Sequence, residues 1–186
     1  MCNIISVRFI KLISEGKKNM ILTSKDANKL LKKLNEELSS LQSKENRSRT
    51  FLASTTEDPE KVRPDYDYEA SRDSQLELEK KIIKLKHAIN EFNVNTLVED
   101  FNMTIDEMLI YIPQLTIKKQ KLSVMKDTPK LERTAGYARS NIIDYIYINY
   151  DSDIVSKDYE LVEAELTKVQ IALDKVNVTK TFEVDL

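Results

Sequence analysis

Residues 153–176 read DIVSKDYELVEAELTKVQIALDKV, and this stretch decides the fold. Val155, Tyr159, Val162, Leu166, Val169, Leu173 and Val176 recur at steps of four and three without a break. On a helix of about 3.6 residues per turn, such steps keep every one of these side chains on a single stripe. That stripe is the seam of a coiled coil, and it must be buried against something.

Three further segments repeat the pattern. Ala27, Leu31, Leu34, Leu38 and Leu41 form a seam behind a cap at Thr23 or Ser24, and the pattern fades near Asn46. Leu78, Ile82, Leu85, Ile89 and Phe92 form another, predicted to start near Ser71 or Ser74 and to end at Asn93 or Asn95. The remaining helix opens with Thr104-Ile-Asp-Glu107, a capping box. Its seam is Ile105, Met108, Ile112, Leu115 and Leu122, with Lys119 where an apolar residue belongs. Pro113 falls inside it, and proline removes a backbone donor and crowds the preceding turn, so a kink or a restart is expected.

Between these helices the sequence is less regular. Residues 46–73 hold a possible short strand near Phe51, and Pro59 and Pro64 then break helix. The segment from Thr96 to Met103 reads as a short extended turn. Lys126 to Asn141 reads as a loop, with Glu163 and Glu165 further on forming an ordinary polar helix face. Ile142 to Tyr150 is β-branched and aromatic, the best strand in the chain. A lone strand leaves its backbone groups unpaired, so it needs a partner, either the stretch near Phe51 or a second subunit. The tail from Thr179 to Leu186 alternates and reads as a further short strand.

Composition agrees with long helices. The 186 residues include only 2 Gly and 4 Pro, and 32% are charged. The expected fold is mainly α: an antiparallel helical bundle of coiled-coil hairpins with a small β element. Residues 20–186 are read as one domain. Residues 1–19 are set apart as an N-terminal extension, and translation starting at Met20 is the favoured reading of it. Its apolar residues, Ile4 to Ile13, are interrupted by Arg8 and Lys11 and are too few to span a bilayer. Neither this segment nor the charged helices point to a membrane, and a cytoplasmic protein is expected.

Chemistry is sparse. With 1 Cys and 1 His, an intrachain disulfide, a structural zinc site and a two-histidine metal site are all excluded. His87 lies mid-helix among lysines and is read as a solvated residue. No Walker motif, dinucleotide fingerprint or metalloprotease motif occurs, so no catalytic residue and no cofactor is assigned. A net charge of −2, with both signs mixed along each helix, gives no strong nucleic-acid signal. The constellation worth weighing is cationic and aromatic: Arg47, Arg49, Arg133, Tyr137, Arg139, Tyr145 and Tyr147. Arginine forks bind phosphates and carboxylates, and aromatic faces stack on bases. If the loops meet, they form a pocket for a nucleotide-like anion. The competing reading pairs these arginines with the acids of residues 57–69.

From Ser48 onward the chain resembles a small bacterial family that carries the label septicolysin. The resemblance rests on Glu57-Asp58-Pro59, Asn93-Val-Asn-Thr96, the capped helix at Thr104 and Tyr137-Ala-Arg-Ser-Asn-Ile142, in that order. Two positions depart from the family. Val178 follows Asn177 where a Trp is usual, and Asn102 stands near the place of a glycine in the turn before the third helix. The resemblance implies the helical architecture and no activity. The expected function is therefore that of a non-enzymatic, homo-oligomeric interaction or assembly protein. The alternative is a small-ligand binder that uses the Arg/Tyr loops, with a mobile-element or defence role.

Overall fold

The computed structural model describes residues 19–133 and 144–186. Its elements in order are strand β1 (Asn19–Thr23), helix α1 (Ser24–Ser48), a one-turn helix α2 (Pro59–Val62) and helix α3 (Tyr68–Asn95). There follow β2 (Leu97–Val98), a 3-10 turn (Glu99–Phe101), β3 (Met103–Thr104), helix α4 (Ile105–Asp127), β4 (Leu131–Arg133), β5 (Tyr145–Tyr147), helix α5 (Ser152–Thr179) and β6 (Thr181–Asp185). The fold is mainly α, with antiparallel helical hairpins and small two-stranded sheets. The residues read as one domain cluster into two compact units. One combines the chain up to Phe92 with Asn177–Leu186, and the other is Asn93–Val176.

In the first unit, α1 begins where the Thr23 hydroxyl accepts the Asp26 N–H at 3.1 Å. This satisfies one of the donors that a helix start leaves unpaired. Ala27 and Leu34 of α1 are buried with Leu78, Ile82, Leu85 and Ile89 of α3 in one core, and Leu31, Leu38 and Leu41 pack against it. Glu45, late in α1, touches Gln75, early in α3, so the two helices run antiparallel. Strands β1 and β6 pair antiparallel from Asn19↔Asp185 to Thr23↔Thr181. Alternation sends Met20, Leu22, Phe182 and Val184 inward to the same core, while Ile21 faces out. Phe182 stacks on Phe92 with ring centroids 4.7 Å apart.

The tail strand is where the alternation of residues 179–186 puts it. Its partner β1 was not expected, because Met20-Ile-Leu is too short to show a period of two. Helix α3 starts at Tyr68, ahead of the predicted Ser71 or Ser74, because the Asp67 carboxylate accepts the Ala70 N–H at 3.1 Å and caps the extra turn.

In the second unit, β2 and β3 make a minimal hairpin around Asn102, whose backbone is left-handed at φ 50°, ψ 37°. Asparagine tolerates that region better than other side chains because it bonds locally, and glycine occupies it without strain. Thr104 then closes the capping box with Glu107: its hydroxyl accepts the Glu107 N–H, and the Glu107 carboxylate accepts the Thr104 N–H at 2.7 Å. Ile105, Met108, Leu115 and Leu122 of α4 are buried, as are Val155, Val162, Leu166, Val169, Leu173 and Val176 of α5. The expected seams of α4 and α5 are thus buried except at Ile112 and Tyr159, which are half-buried.

Helix α4 does not stop at Pro113. Pro113 and Leu109, whose carbonyl loses its helical donor, are both exposed residues, so the substitution lies on the outer side of the helix rather than in its core. The helix also runs on to Asp127, past the predicted start of a loop at Lys126, and ends where Pro129 forbids continuation. The strand at Tyr145–Tyr147 pairs with Leu131–Arg133, inside the stretch read as loop, and not with the region of Phe51. Three residues leave too little pattern for sequence reasoning to find β4.

Leu85 and Met108 are both 0% exposed. Leu85→Ala and Met108→Ala are each expected to cost about 2–5 kcal/mol, measured by urea unfolding. At Asn102, Ala is expected to cost about 1–2 kcal/mol and Gly to cost less than Ala, since only Ala meets the left-handed penalty.

Candidate interaction surface

The β4–β5 hairpin carries the part of the expected site that the structure brings together. Its register sets Leu131 opposite Tyr147, Glu132 opposite Ile146 and Arg133 opposite Tyr145. Directly opposed residues share a face, and alternate residues share it too. Leu131, Arg133, Tyr145 and Tyr147 thus occupy one face, with Glu132 and Ile146 on the other. The two tyrosine rings lie 6.5 Å apart at 53°. Tyr145 is 47% and Tyr147 69% exposed, and Leu131 and Ile146 are also exposed. An exposed Arg–Tyr–Tyr face offers a guanidinium for an anion and ring edges for a flat or apolar partner.

The hairpin is fixed at its base. The Tyr150 hydroxyl donates to the Met125 carbonyl at 2.7 Å, and the Thr128 hydroxyl donates to the Val124 carbonyl at 2.7 Å. Both satisfy carbonyls that the end of α4 leaves without helical partners. Tyr137 and Arg139 lie outside the described residues. Arg47 and Arg49 belong to the other unit, at the end of α1. Arg49 supplies the backbone N–H that caps the helix on the Glu45 carbonyl at 2.8 Å. Arg47 sits in the last turn, where a cation complements the helix dipole.

The expected pairing of these arginines with the acids of residues 57–69 takes a different form. Glu60 pairs with Arg63 at 2.6 Å, while Arg47 and Arg49 form no ion pair among the described residues. Glu45 instead accepts from Tyr66 at 2.7 Å and from Gln75. The Tyr66 bond, then the Gln75 bond, holds the Glu45 carboxyl below its usual range. The same bond with Glu45 pushes the Tyr66 phenol up to about 12. This contact ties the irregular segment back onto α1.

Sequence reasoning misjudged Lys119, Glu163 and Glu165. Lys119 interrupts the α4 seam, yet its ammonium lies 2.7 Å from the Glu163 carboxylate on α5. The Tyr159 hydroxyl donates to the same carboxylate at 3.3 Å, and the Lys126 ammonium stands 4.7 Å from the Tyr159 ring centroid. Tyr111 donates to Glu165. Glu163 and Glu165 are therefore not an ordinary polar face; they join α5 to α4. The pairs 111 with 165 and 119 with 163 run in opposite senses, so the two helices are antiparallel. The signal in the sequence was the lysine at a seam position, which asks for an acid on the facing helix.

Lys119 holds the Glu163 carboxyl low, first by its hydrogen bond and then by its charge, so Glu163 stays ionised near neutral pH. His87 is exposed. Among the described residues no cluster of His, Cys, Asp and Glu is placed to hold a metal ion, and no helix is long and apolar enough to cross a membrane.

No family model matches the sequence, and comparison with curated proteins gives no match either. Among solved structures, the fold is similar to the crystal structure of a functionally unknown conserved protein from Corynebacterium diphtheriae. That likeness has a TM-score of 0.59 at 18% identity and covers 88% of this chain and 99% of the other. At that identity it speaks for the fold alone.

The Glu163 carboxyl is depressed in the folded chain, so its contribution is present above the unfolded value and lost as pH falls through the folded one. Lys119→Leu is expected to remove that part of the acid sensitivity. At pH 7 its effect on stability should be small, because the Lys119 and Glu163 side chains are 32% and 47% exposed and a pair so open is worth little. Urea unfolding of both proteins at pH 7 and at about pH 3.5 checks both statements; an unchanged pH dependence in the variant would count against the pair.

Proposed function

We propose that this chain is a non-enzymatic interaction or assembly protein that works as a homo-oligomer. The observation that carries this reading is apolar surface left exposed on ordered elements. Leu131, Tyr145 and Tyr147 are exposed on one face of the hairpin, and Ile110, Ile117 and Val124 are exposed along one helix. Scattered apolar residues on a surface need no explanation, but groups aligned on one face mark contact sites. The polar contacts join helix to helix, or segment to helix, which is a scaffold's use of such groups. The septicolysin-labelled family lends architecture to this reading and no activity. A cytoplasmic location and a coiled-coil mode of assembly belong to the same proposal.

The face holding Arg133, Tyr145 and Tyr147 favours a second reading, a binder of a small nucleotide-like anion. Arg133 lies directly opposite Tyr145, so a phosphate on the guanidinium would leave a base within reach of the rings.

Light scattering between about 1 and 200 μM separates the two readings, since small interfaces associate in that range. Growth of the mass beyond one chain is expected, and a constant monomer mass sinks the leading proposal. Thermal shift against nucleotides is expected to give no rise in melting temperature. A rise that Arg133→Ser removes would establish the second reading in its place.

A further inference from the structure

Helix α4 has two apolar stripes. The inner one, Ile105, Met108, Leu115 and Leu122, is buried. The outer one, Ile110, Ile117 and Val124, recurs at seven residues and is 58%, 66% and 69% exposed. At about 100° per residue, Ile110 lies roughly 160° around the helix from Met108, so the outer stripe points away from the seam. In a helical hairpin such outward positions normally carry charged or polar residues. Three consecutive β-branched residues there leave a surface that a second helix of the same period covers in register.

The flanking residues say which helix and in which sense. Glu107, Gln114 and Lys121 each precede a stripe residue by three, so one margin of the stripe runs from acid through neutral to base. The other margin is Asp106, Pro113, Gln120 and Asp127. In a parallel pair the two-fold axis runs along the helices, so one margin faces the other, and Glu107 of each copy meets Asp106 of its partner, acid against acid. In an antiparallel pair centred on Gln114, Glu107 of each copy meets Lys121 of the other. That register sets Ile110 against Ile117 of the second copy and leaves Asp106 beside a neutral Gln120. Moving the pair by one heptad, to centre on Ile117, loses both opposite-charge contacts and brings Asp106 against Asp127.

Two structural details fit the same register. An open hollow of about 280 Å³, lined by Met103, Glu107, Ile110, Tyr111 and Gln114, lies at the start of the stripe. In that register Val124 of a second copy would fall close to the level of Met103, beside this hollow. The Glu107 carboxylate uses Oε2 for both of its Thr104 bonds, which leaves Oε1 for an incoming lysine.

We infer that α4 is the self-association surface of this protein, pairing with α4 of a second copy, antiparallel about a two-fold axis at Gln114, with Glu107–Lys121 contacts at both ends. The inference rests on the homo-oligomer reading above and adds the surface, the symmetry and the register. An isologous contact of this kind closes on itself, so through this surface the chain forms dimers and no longer array.

The test uses the full chain and mass measurement by light scattering. Lys121→Glu is expected to weaken self-association at least about tenfold, since it sets acid against acid at both ends. Glu107→Lys does the same with bases. Mixing the two variants is expected to restore wild-type association, because the mixed dimer regains both opposite-charge contacts. In a Cys2→Ser background, Gln114→Cys is expected to cross-link efficiently with a short bismaleimide. Asp127→Cys is not, because its two copies stand about 40 Å apart in this register. Glu107→Lys also loses the capping box, so its melting temperature as a monomer is recorded beside the mixing result, and the Gln114→Cys measurement stands independently of it. A wild-type monomer at every concentration overturns both this inference and the homo-oligomer reading. An oligomer that Lys121→Glu does not weaken, or that Gln114→Cys does not cross-link, overturns this surface and leaves the broader reading intact. Weakening that mixing fails to restore overturns the register.

Discussion

Each long helix of this chain buries one stripe of apolar side chains spaced four and three residues apart, and everything else is arranged around that burial. A helix with such a stripe is not stable by itself in water; most of its stability comes from the surface it hides. Fully burying a side chain such as Leu85, Met108 or Val169 contributes about 1.5–3 kcal/mol. Capping contacts at Thr23 and Thr104 add smaller terms and set where each helix begins. The two-stranded sheets are too small to stand alone, and they persist because helices adjoin them.

Apolar stripes define which faces meet but tolerate sliding by a turn. Polar contacts limit that freedom. Lys119 with Glu163, and Tyr111 with Glu165, are satisfied only when α4 and α5 hold one register. Glu45, which accepts from both Tyr66 and Gln75, does the same for α1, α3 and the segment between them. These groups are partly open to solvent, so each contributes little net stability; their effect is to make slipped alignments leave a charge without its partner.

The helices were legible in the sequence because a seam of five to seven residues at a fixed period is a strong signal. The capping box at Thr104 was equally clear, since it needs two particular side chains three residues apart. The strands were legible in part: β5 and β6 fall inside stretches that read as strand, while β1, β4 and every strand pairing do not show in the sequence. β1 and β4 span only five and three residues, and strand partners are set by contacts distant in sequence, which local periodicity does not encode. At Pro113 the helix runs on without a break; whether a proline ends a helix depends on what surrounds the freed carbonyl, which the fold decides. Of the described residues in the proposed Arg/Tyr site, Arg133, Tyr145 and Tyr147 share one face, because a hairpin aligns them. Arg47 and Arg49 attracted attention as arginines near a helix end, where the helix itself accounts for them.

The pairing of β1 with β6 joins residues that are 164 apart at the Asn19–Glu183 hydrogen bond. One compact unit is therefore contiguous, Asn93–Val176, while the other is assembled from segments on both sides of it. During synthesis, which proceeds from the N-terminus, the contiguous unit has all of its residues as soon as Val176 is made. The other holds Met20 and Leu22 without their partners Phe182 and Val184 until the last strand emerges. Its α1–α3 core must wait, with apolar surface open, through the making of some eighty intervening residues. The order of assembly on the ribosome is thus the reverse of the order of the sequence: the inner unit matures first, and the unit begun earliest finishes last.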